Sequence, residues 1–338
     1  MFGNLDLSLV WAGLIAFAVV AYVVMDGFDL GVGILFAVEK GVEDRDLMVN
    51  TIAPVWDGNE TWLVLGGGGL FAVFPLAYAT IMPALYPTIM GMLLALIFRG
   101  VAFEFRFRAF SAAGRRRWDF AFFGGSIFAA LCQGLSLGGL LQGIKVTGRA
   151  YSGGWWDWLT PFTVLCGVAV VIGYALLGAT WLVWRTEGDL HDRCRVQARI
   201  LGLATLAMIG AVSLWTPFLN ETFKERWFGW PGIALTSPVP VLVALLAWRF
   251  WRGLQRGDQL APFLCSLGVF GLCFVGLAIS IFPLMVPPSI TIWQAAAPHE
   301  SQAFLLVGAL VLIPTILAYT GYAYYVFRGK VQHGVGYH

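Results

Sequence analysis

Charge is scarce in this chain. Only 12% of its 338 residues are Asp, Glu, Lys or Arg, about half the share of an average soluble domain. An ordinary water-soluble enzyme is thereby excluded. With 59% hydrophobic residues, so is intrinsic disorder. A net charge of +2 gives no nucleic-acid surface. Histidine is rarer still: His191, His299, His333 and His338 are the only four, and each falls in a predicted loop or in the tail. Haem in a membrane bundle is held by His or Met on facing helices. No haem is therefore expected on this chain, and its eight Met read as packing. The cysteines, Cys132, Cys166, Cys194, Cys265 and Cys273, form no C-x-x-C pair, which leaves metal and redox motifs unsupported. Four sit in apolar runs as small hydrophobes. Cys194 falls in a basic predicted loop and reads as a free thiol in a reducing compartment. Met1 to Ser8 contains no Lys or Arg, so the basic region of a signal peptide is missing and the first apolar run reads as a retained helix.

What is abundant is apolar surface. The mean hydropathy is +0.78, with 26 Phe and 15 Trp. About 20 residues span a bilayer as a helix. The apolar runs predict nine such helices, at 9–36, 54–74, 80–103, 118–141, 161–184, 200–219, 233–251, 262–286 and 302–327. The first exceeds one vertical crossing and must tilt, bend or protrude. The seventh is short and interrupted by Pro238 and Pro240. The fold class is all-α: a polytopic membrane protein forming a single integral domain over 1–338. With nine spans the loops alternate between two sides. Seventeen of the 21 basic residues fall on one side, leaving only Lys145, Arg149, Lys224 and Arg226 on the other. The positive-inside rule makes the basic side cytoplasmic, with the N-terminus outside and the C-terminus inside. Trp155, Trp156 and Trp158, then Trp227 and Trp230, read as an aromatic belt on the outer side.

Acids within apolar spans are functional candidates by default, because burying them is costly. Asp26 and Asp29 lie in a Met-Asp-Gly-Phe-Asp-Leu-Gly-Val-Gly run at 25–33. Asp57 and Glu60 lie in Pro-Val-Trp-Asp-Gly-Asn-Glu-Thr-Trp at 54–62. Each pair is spaced i, i+3 and shares one helix face. The topology brings both pairs, and Glu104 with Arg106 and Arg108 at the end of the third helix, to similar depth in the cytoplasmic half. Such a series of carboxylates can pass protons from one to the next. The structural alternatives are specific. Asp26 or Asp29 would cap a helix break at Gly27 or pair with an Arg. Glu60 would hydrogen-bond Asn59 or Thr61. Glu104 would form a solvated ion pair. Gly27, Gly31, Gly33 and the run Gly66 to Gly69 read as close-packing positions. Gln133 and Gln142 read as interhelical hydrogen-bonding residues.

The two acidic motifs together closely resemble subunit II of the cytochrome bd quinol oxidases. Phe-Arg-Gly-Val-Ala-Phe-Glu-Phe-Arg at 98–106 adds to the likeness. So do Trp118-Asp119, Leu140 to Gly143, Gly178-Ala179-Thr180 and Phe282-Pro283. The resemblance covers essentially the whole chain. It implies nine helices arranged as two four-helix bundles plus one peripheral helix. It also implies a respiratory complex in the bacterial inner membrane that oxidises quinol and reduces O2 to water. Haem b and haem d would reside in the partner, cytochrome bd subunit I, and a single-helix accessory subunit is a further expected partner. By the same resemblance Asp57 matches the family's proton-conducting aspartate, and Trp56 its neighbour facing subunit I. Glu104 and Arg108 match the cytoplasmic entrance, where the family can have Asp and Lys. Some members carry a structural ubiquinone in this subunit. The compact outer loops are similar to the cyanide-insensitive branch. Two readings compete with a proton-delivering oxidase subunit: a proton-coupled secondary transporter using the paired carboxylates, and a purely structural scaffold.

Overall fold

A computed structural model describes residues 5–331. Helix α1 (Leu7–Leu35) is 29 residues long, about 43 Å at the usual rise, and is started by the Asp6 side chain accepting from the Leu9 amide. After the short α2 (Val42–Ile52) comes α3 (Trp56–Val73), then α4 (Pro75–Ala84), bent from α3 by 120°. The bend falls at Phe74, because the residue before a proline is pushed out of the helical region. The Val73 carbonyl freed there accepts from the Ala297 amide at 2.7 Å. Helices α5 (Tyr86–Phe107) and α6 (Ala112–Gln142) follow, then a two-stranded hairpin, β1 (Val146–Thr147) and β2 (Ala150–Tyr151). Gly143, at φ 93°, ends α6. Helix α7 (Pro161–Arg185) starts with a Thr160–Thr163 capping box, and Gly188, at φ 68°, separates it from α8 (Gly188–Trp215). The chain continues through α9 (Glu221–Phe228), α10 (Gly232–Thr236), α11 (Pro238–Arg256) and α12 (Ala261–Ile281). A second hairpin, β3 (Leu284–Val286) and β4 (Ile290–Thr291), then leads to α13 (Ile292–Ala295) and α14 (His299–Val326).

Among the described residues, eight helices are long and apolar enough to cross a membrane, and the bent α3–α4 pair makes up to nine. That agrees with the predicted number, while several boundaries move. The predicted helix at 200–219 begins twelve residues earlier, because the basic segment is itself helical, with Arg193 paired to Glu39 and Asp44. Cys194 is thus buried inside α8 rather than in a loop. His191 lies in the first turn of α8 and His299 opens α14; His333 and His338 lie outside the described residues. The predicted 262–286 helix stops at Ile281, ahead of Pro283, whose ring nitrogen has no hydrogen to continue it.

The packing order is legible from side chains. Helix α1 packs on α3, α6 and α7; α5 packs on α6; α7 packs on α6, α8 and α12; and α11 packs on α12. Helix α14 lies at the edge against α1 and α3. Residues 26–33 of α1 are buried on every side, which the glycines make possible. A Cβ on Gly31 would meet the Tyr174 carbonyl oxygen at 1.9 Å, and one on Gly178 would meet the Gly31 carbonyl carbon at 2.3 Å. The backbones of α1 and α7 therefore touch here, the close approach that small residues permit. Gly67 and Gly68, by contrast, face open space.

Helix ends gather at two opposite poles. At one, Trp11 donates to the Gln302 carbonyl, Trp293 to Asp6, and Thr160 to Gln142. At the other, the arginine-rich pole, Glu39 pairs with Arg193, and Asp119 accepts from Arg45 at 3.0 Å and Arg106 at 2.6 Å. Asp46, on α2, binds Arg106 at 2.5 Å and also Arg115. Lys330 reaches Glu187, and the Arg185 guanidinium donates to the Phe327 carbonyl. Helix α2 is clasped to α5, α6 and α8 by these pairs. Exposed pairs of this kind contribute little, but Arg106 is 1% exposed, and its pairing with both Asp46 and Asp119 offsets the cost of burying its charge.

Candidate functional site: a buried carboxylate cluster around Arg99

Asp26 and Asp29 are both fully buried, on the stretch of α1 that the glycines let its neighbours enclose. Neither caps a break at Gly27, since α1 runs through without interruption. Asp26 accepts from the Arg99 guanidinium at 3.0 Å, with both side chains wholly inaccessible. The same guanidinium nitrogen lies 3.9 Å from Glu60, whose side chain is 27% exposed. Asp29 accepts from the Asn59 amide at 2.7 Å. Asn59 in turn accepts from the Tyr324 hydroxyl at 2.9 Å, tying α14 to the cluster. On the other flank, one helical turn before Asp26 on α1, stands Tyr22. Gln133 donates to Tyr22 at 2.7 Å, and Tyr174 donates to Gln133 at 2.7 Å. Five helices, α1, α3, α5, α6 and α7, thus converge on one polar centre, with α14 attached from outside.

The sequence-predicted residues fare differently. Asp26, Asp29 and Glu60 come together. Asp57, the second residue of α3, is exposed and lies outside the buried centre. The four carboxylates differ in enclosure: Asp26 and Asp29 are shut in, Glu60 is at the boundary and Asp57 is exposed. The reason is the helical turn. Asp57 and Glu60 are about 60° apart around α3, and Asn59 takes the inward position. Trp56 is half-buried and stacks on Phe103 with ring centres 4.6 Å apart. Glu104 pairs with Arg108 at 3.3 Å, both side chains exposed at 46% and 73%, the solvated arrangement weighed above. Gln133 and Gln142 both make the interhelical bonds expected of them, Gln142 accepting from Thr160 at 2.8 Å.

Arg99, counted above only among the basic residues of the cytoplasmic side, lies inside α5 and is fully buried. Its signal was present: it stands in an apolar run between Phe98 and Gly100, where a lone Arg needs an acidic partner. Asn59, Tyr22, Tyr174 and Tyr324 carried no comparable signal, because such residues are common in membrane helices. Among the described residues no group of three or more His, Cys, Asp or Glu is placed to hold a metal ion. Beside the cluster, a cleft of about 270 Å³ runs between α1, α7, α12 and α14. Phe28, Trp181, Trp184, Phe263 and Tyr324 wall it, with Phe28 stacked on Trp181 at 4.2 Å.

A bundle of membrane-spanning helices closed around an acid–guanidinium centre defines the class: a polytopic, all-α membrane protein with a polar core. The family model for cytochrome bd terminal oxidase subunit II matches residues 7–327, and the chain belongs to that family. Cytochrome bd-I ubiquinol oxidase subunit 2 of Escherichia coli K12 is 30% identical, over 96% of this chain and 95% of its own length. Cytochrome bd ubiquinol oxidase subunit 2 of Bacillus subtilis is 31% identical, over 96% of both chains. A probable cytochrome oxidase subunit 2 of Haemophilus influenzae is also 31% identical, over 96% of this chain and 95% of its own. In fold, the chain is similar to the bd oxidase from Geobacillus thermodenitrificans, with a TM-score of 0.72, covering 93% of this chain and 97% of that one at 16% identity.

Proposed function

We propose that this chain is the haem-free subunit of a quinol-oxidising, O2-reducing complex of the bacterial inner membrane, and that it stabilises the complex and helps conduct protons to it. Its partner would be cytochrome bd subunit I, which would carry haem b, haem d and the quinol-oxidation site; a single-helix accessory subunit would join where the assembly has one. The whole chain would act as one integral membrane domain. The two four-helix bundles would be α1, α3, α5 and α6, and α7, α8, α11 and α12, joined along α7, which packs on α1 and α6 as well as on α8, with α14 peripheral. The arginine-rich pole would face the cytoplasm, with the N-terminus outside and the C-terminus inside.

The observation that carries the proton reading is the gradation of carboxylates on α3 and α1. It runs from exposed Asp57, through partly exposed Glu60, to buried Asp26 and Asp29 around one guanidinium. Glu104 and Arg108, at the arginine-rich end of α5, would form the entrance. Trp56 would lie at the boundary with subunit I. The aromatic cleft suits the isoprenoid tail of a ubiquinone, since its walls are planar and apolar; such a quinone would be structural. Family membership argues against the transporter alternative. The test is Asp57→Asn in the assembled complex. Oxygen consumption should fall by roughly tenfold or more while the visible spectrum shows full haem. Unchanged turnover with full haem would rule out the proton role of Asp57. Loss of haem and of the complex would favour a structural role.

A further inference from the structure

The buried centre has three ways out, and they are chemically unlike. Toward α14 the path from Asp29 runs through Asn59 to the half-buried Tyr324. Toward α6 and α7, Tyr22 stands one helical turn from Asp26 and leads to Gln133 and Tyr174. Both pass through a carboxamide. Its oxygen only accepts and its nitrogen only donates, so a carboxamide cannot take a proton on one side and release it on the other as a carboxyl or hydroxyl does. The third way leads from Asp26 and Arg99 to Glu60. Glu60 is the one titratable side chain among the described members of this network that is both next to Arg99 and partly exposed, at 27%. Its neighbour one helical turn away is the exposed Asp57.

We propose that Glu60 is the gate through which the buried Asp26–Arg99–Asp29 centre exchanges protons with the Asp57 face, and that Asn59 and Gln133 close the other two exits. The proposal rests on the proton-conducting reading above and deepens it. Arg99 serves as the positioning residue. Its fixed guanidinium bridges Asp26 and Glu60, holding the gate carboxyl toward the interior. Asn59 and Gln133 orient their neighbours without relaying a proton. The cluster is thereby a branch with one mouth rather than a channel open at several points.

The test uses the two-subunit complex, with oxygen consumption and the haem spectrum measured on the same samples. Glu60→Gln should slow turnover by roughly tenfold or more, the scale of a lost positioned proton donor, with haem retained. Glu60→Asp keeps a carboxyl but withdraws it from Arg99, and should slow turnover by about threefold, between the parent and Glu60→Gln. Gln142→Leu alters a side chain outside the network that, among the described residues, bonds only Thr160, and should stay within about twofold of the parent. If Glu60→Gln does not assemble, Glu60→Asp decides alone: turnover equal to the parent overturns the gate. Turnover of Glu60→Gln near the parent, with Asp57→Asn slow, overturns the gate and leaves the wider proton reading standing. Both near the parent overturns both. Gln142→Leu as slow as Glu60→Gln, with haem intact, also overturns the proposal, because the loss would then not be specific to the gate.

Discussion

Gly31→Ala is the perturbation whose outcome the geometry constrains most tightly. The new Cβ would sit 1.9 Å from the Tyr174 carbonyl oxygen and 2.6 Å from the Gly178 nitrogen, so it falls about 1.5 Å short of the 3.4 Å at which ordinary contact begins. Both obstructing atoms are backbone, so no rotamer change relieves the clash and α1 and α7 must separate. Two effects compete. Alanine favours an isolated helix over glycine by about 1 kcal/mol. Overpacking a filled interior costs about 1–3 kcal/mol, occasionally more, and a backbone-on-backbone overlap belongs at the upper end. The clash wins by about 2 kcal/mol. A displacement of that size would also stretch the 2.7 Å Asp29–Asn59 bond and the 3.0 Å Asp26–Arg99 pair past hydrogen-bonding range. The control is Gly67→Ala, whose Cβ meets nothing within 4 Å; it should be neutral or mildly stabilising. Thermal unfolding of the detergent-solubilised complex, followed by tryptophan fluorescence, compares the two. Gly31→Ala should melt several degrees lower, at roughly 2–4 °C per kcal/mol. A midpoint equal to or above that of Gly67→Ala would refute the close helix crossing.

Four further outcomes follow from the described contacts. Arg99→Met leaves Asp26 buried without its partner and should destabilise by about 3–5 kcal/mol; in a double-mutant cycle Asp26→Asn/Arg99→Met should recover part of that loss, and strict additivity would count against the pair. Asp119→Asn should weaken the hold on Arg106 and Arg45 and make the segment before α2 more sensitive to limited proteolysis. Glu104→Gln should change stability by less than about 0.5 kcal/mol, as expected for an exposed i, i+4 pair, so a slowed turnover there would report on proton entry rather than folding. Asp6 is held below the usual carboxylate value of 3.8, first by the Trp293 indole and then by the Leu9 amide. A depressed folded value means its helix-capping contribution is present above the ordinary value and fades as pH falls through the lower folded one. Hydrogen exchange at the Leu9 amide should therefore speed up only in that acidic window, and an exchange rate independent of pH there, after correction for intrinsic rates, would remove the cap.

The sequence by itself determined the class, the number of crossings and the acidic motifs, because these depend on quantities local to the chain. A run of apolar residues long enough for a bilayer reads as a span whatever its neighbours, and a carboxylate in such a run stands out. The helix-packing role of Gly31 was legible for the same reason, since small residues in a span have few other uses. Only the tertiary structure decided which polar groups meet. Arg99 read as one more basic residue of the cytoplasmic side until Asp26 and Glu60 proved to lie beside it, and the carboxylates of α3 read as an equivalent pair until Asn59 proved to take the inward position between them. The clasp on α2 and the tyrosine–carboxamide arms are likewise relations between segments far apart in the chain. Burial and pairing depend on which helix lies opposite, and that is settled by backbone approach at a few glycines such as Gly31 and Gly178. The scarcity of charge says that the chain lives in a membrane; the packing of α1 says which of its few charges are shut in together.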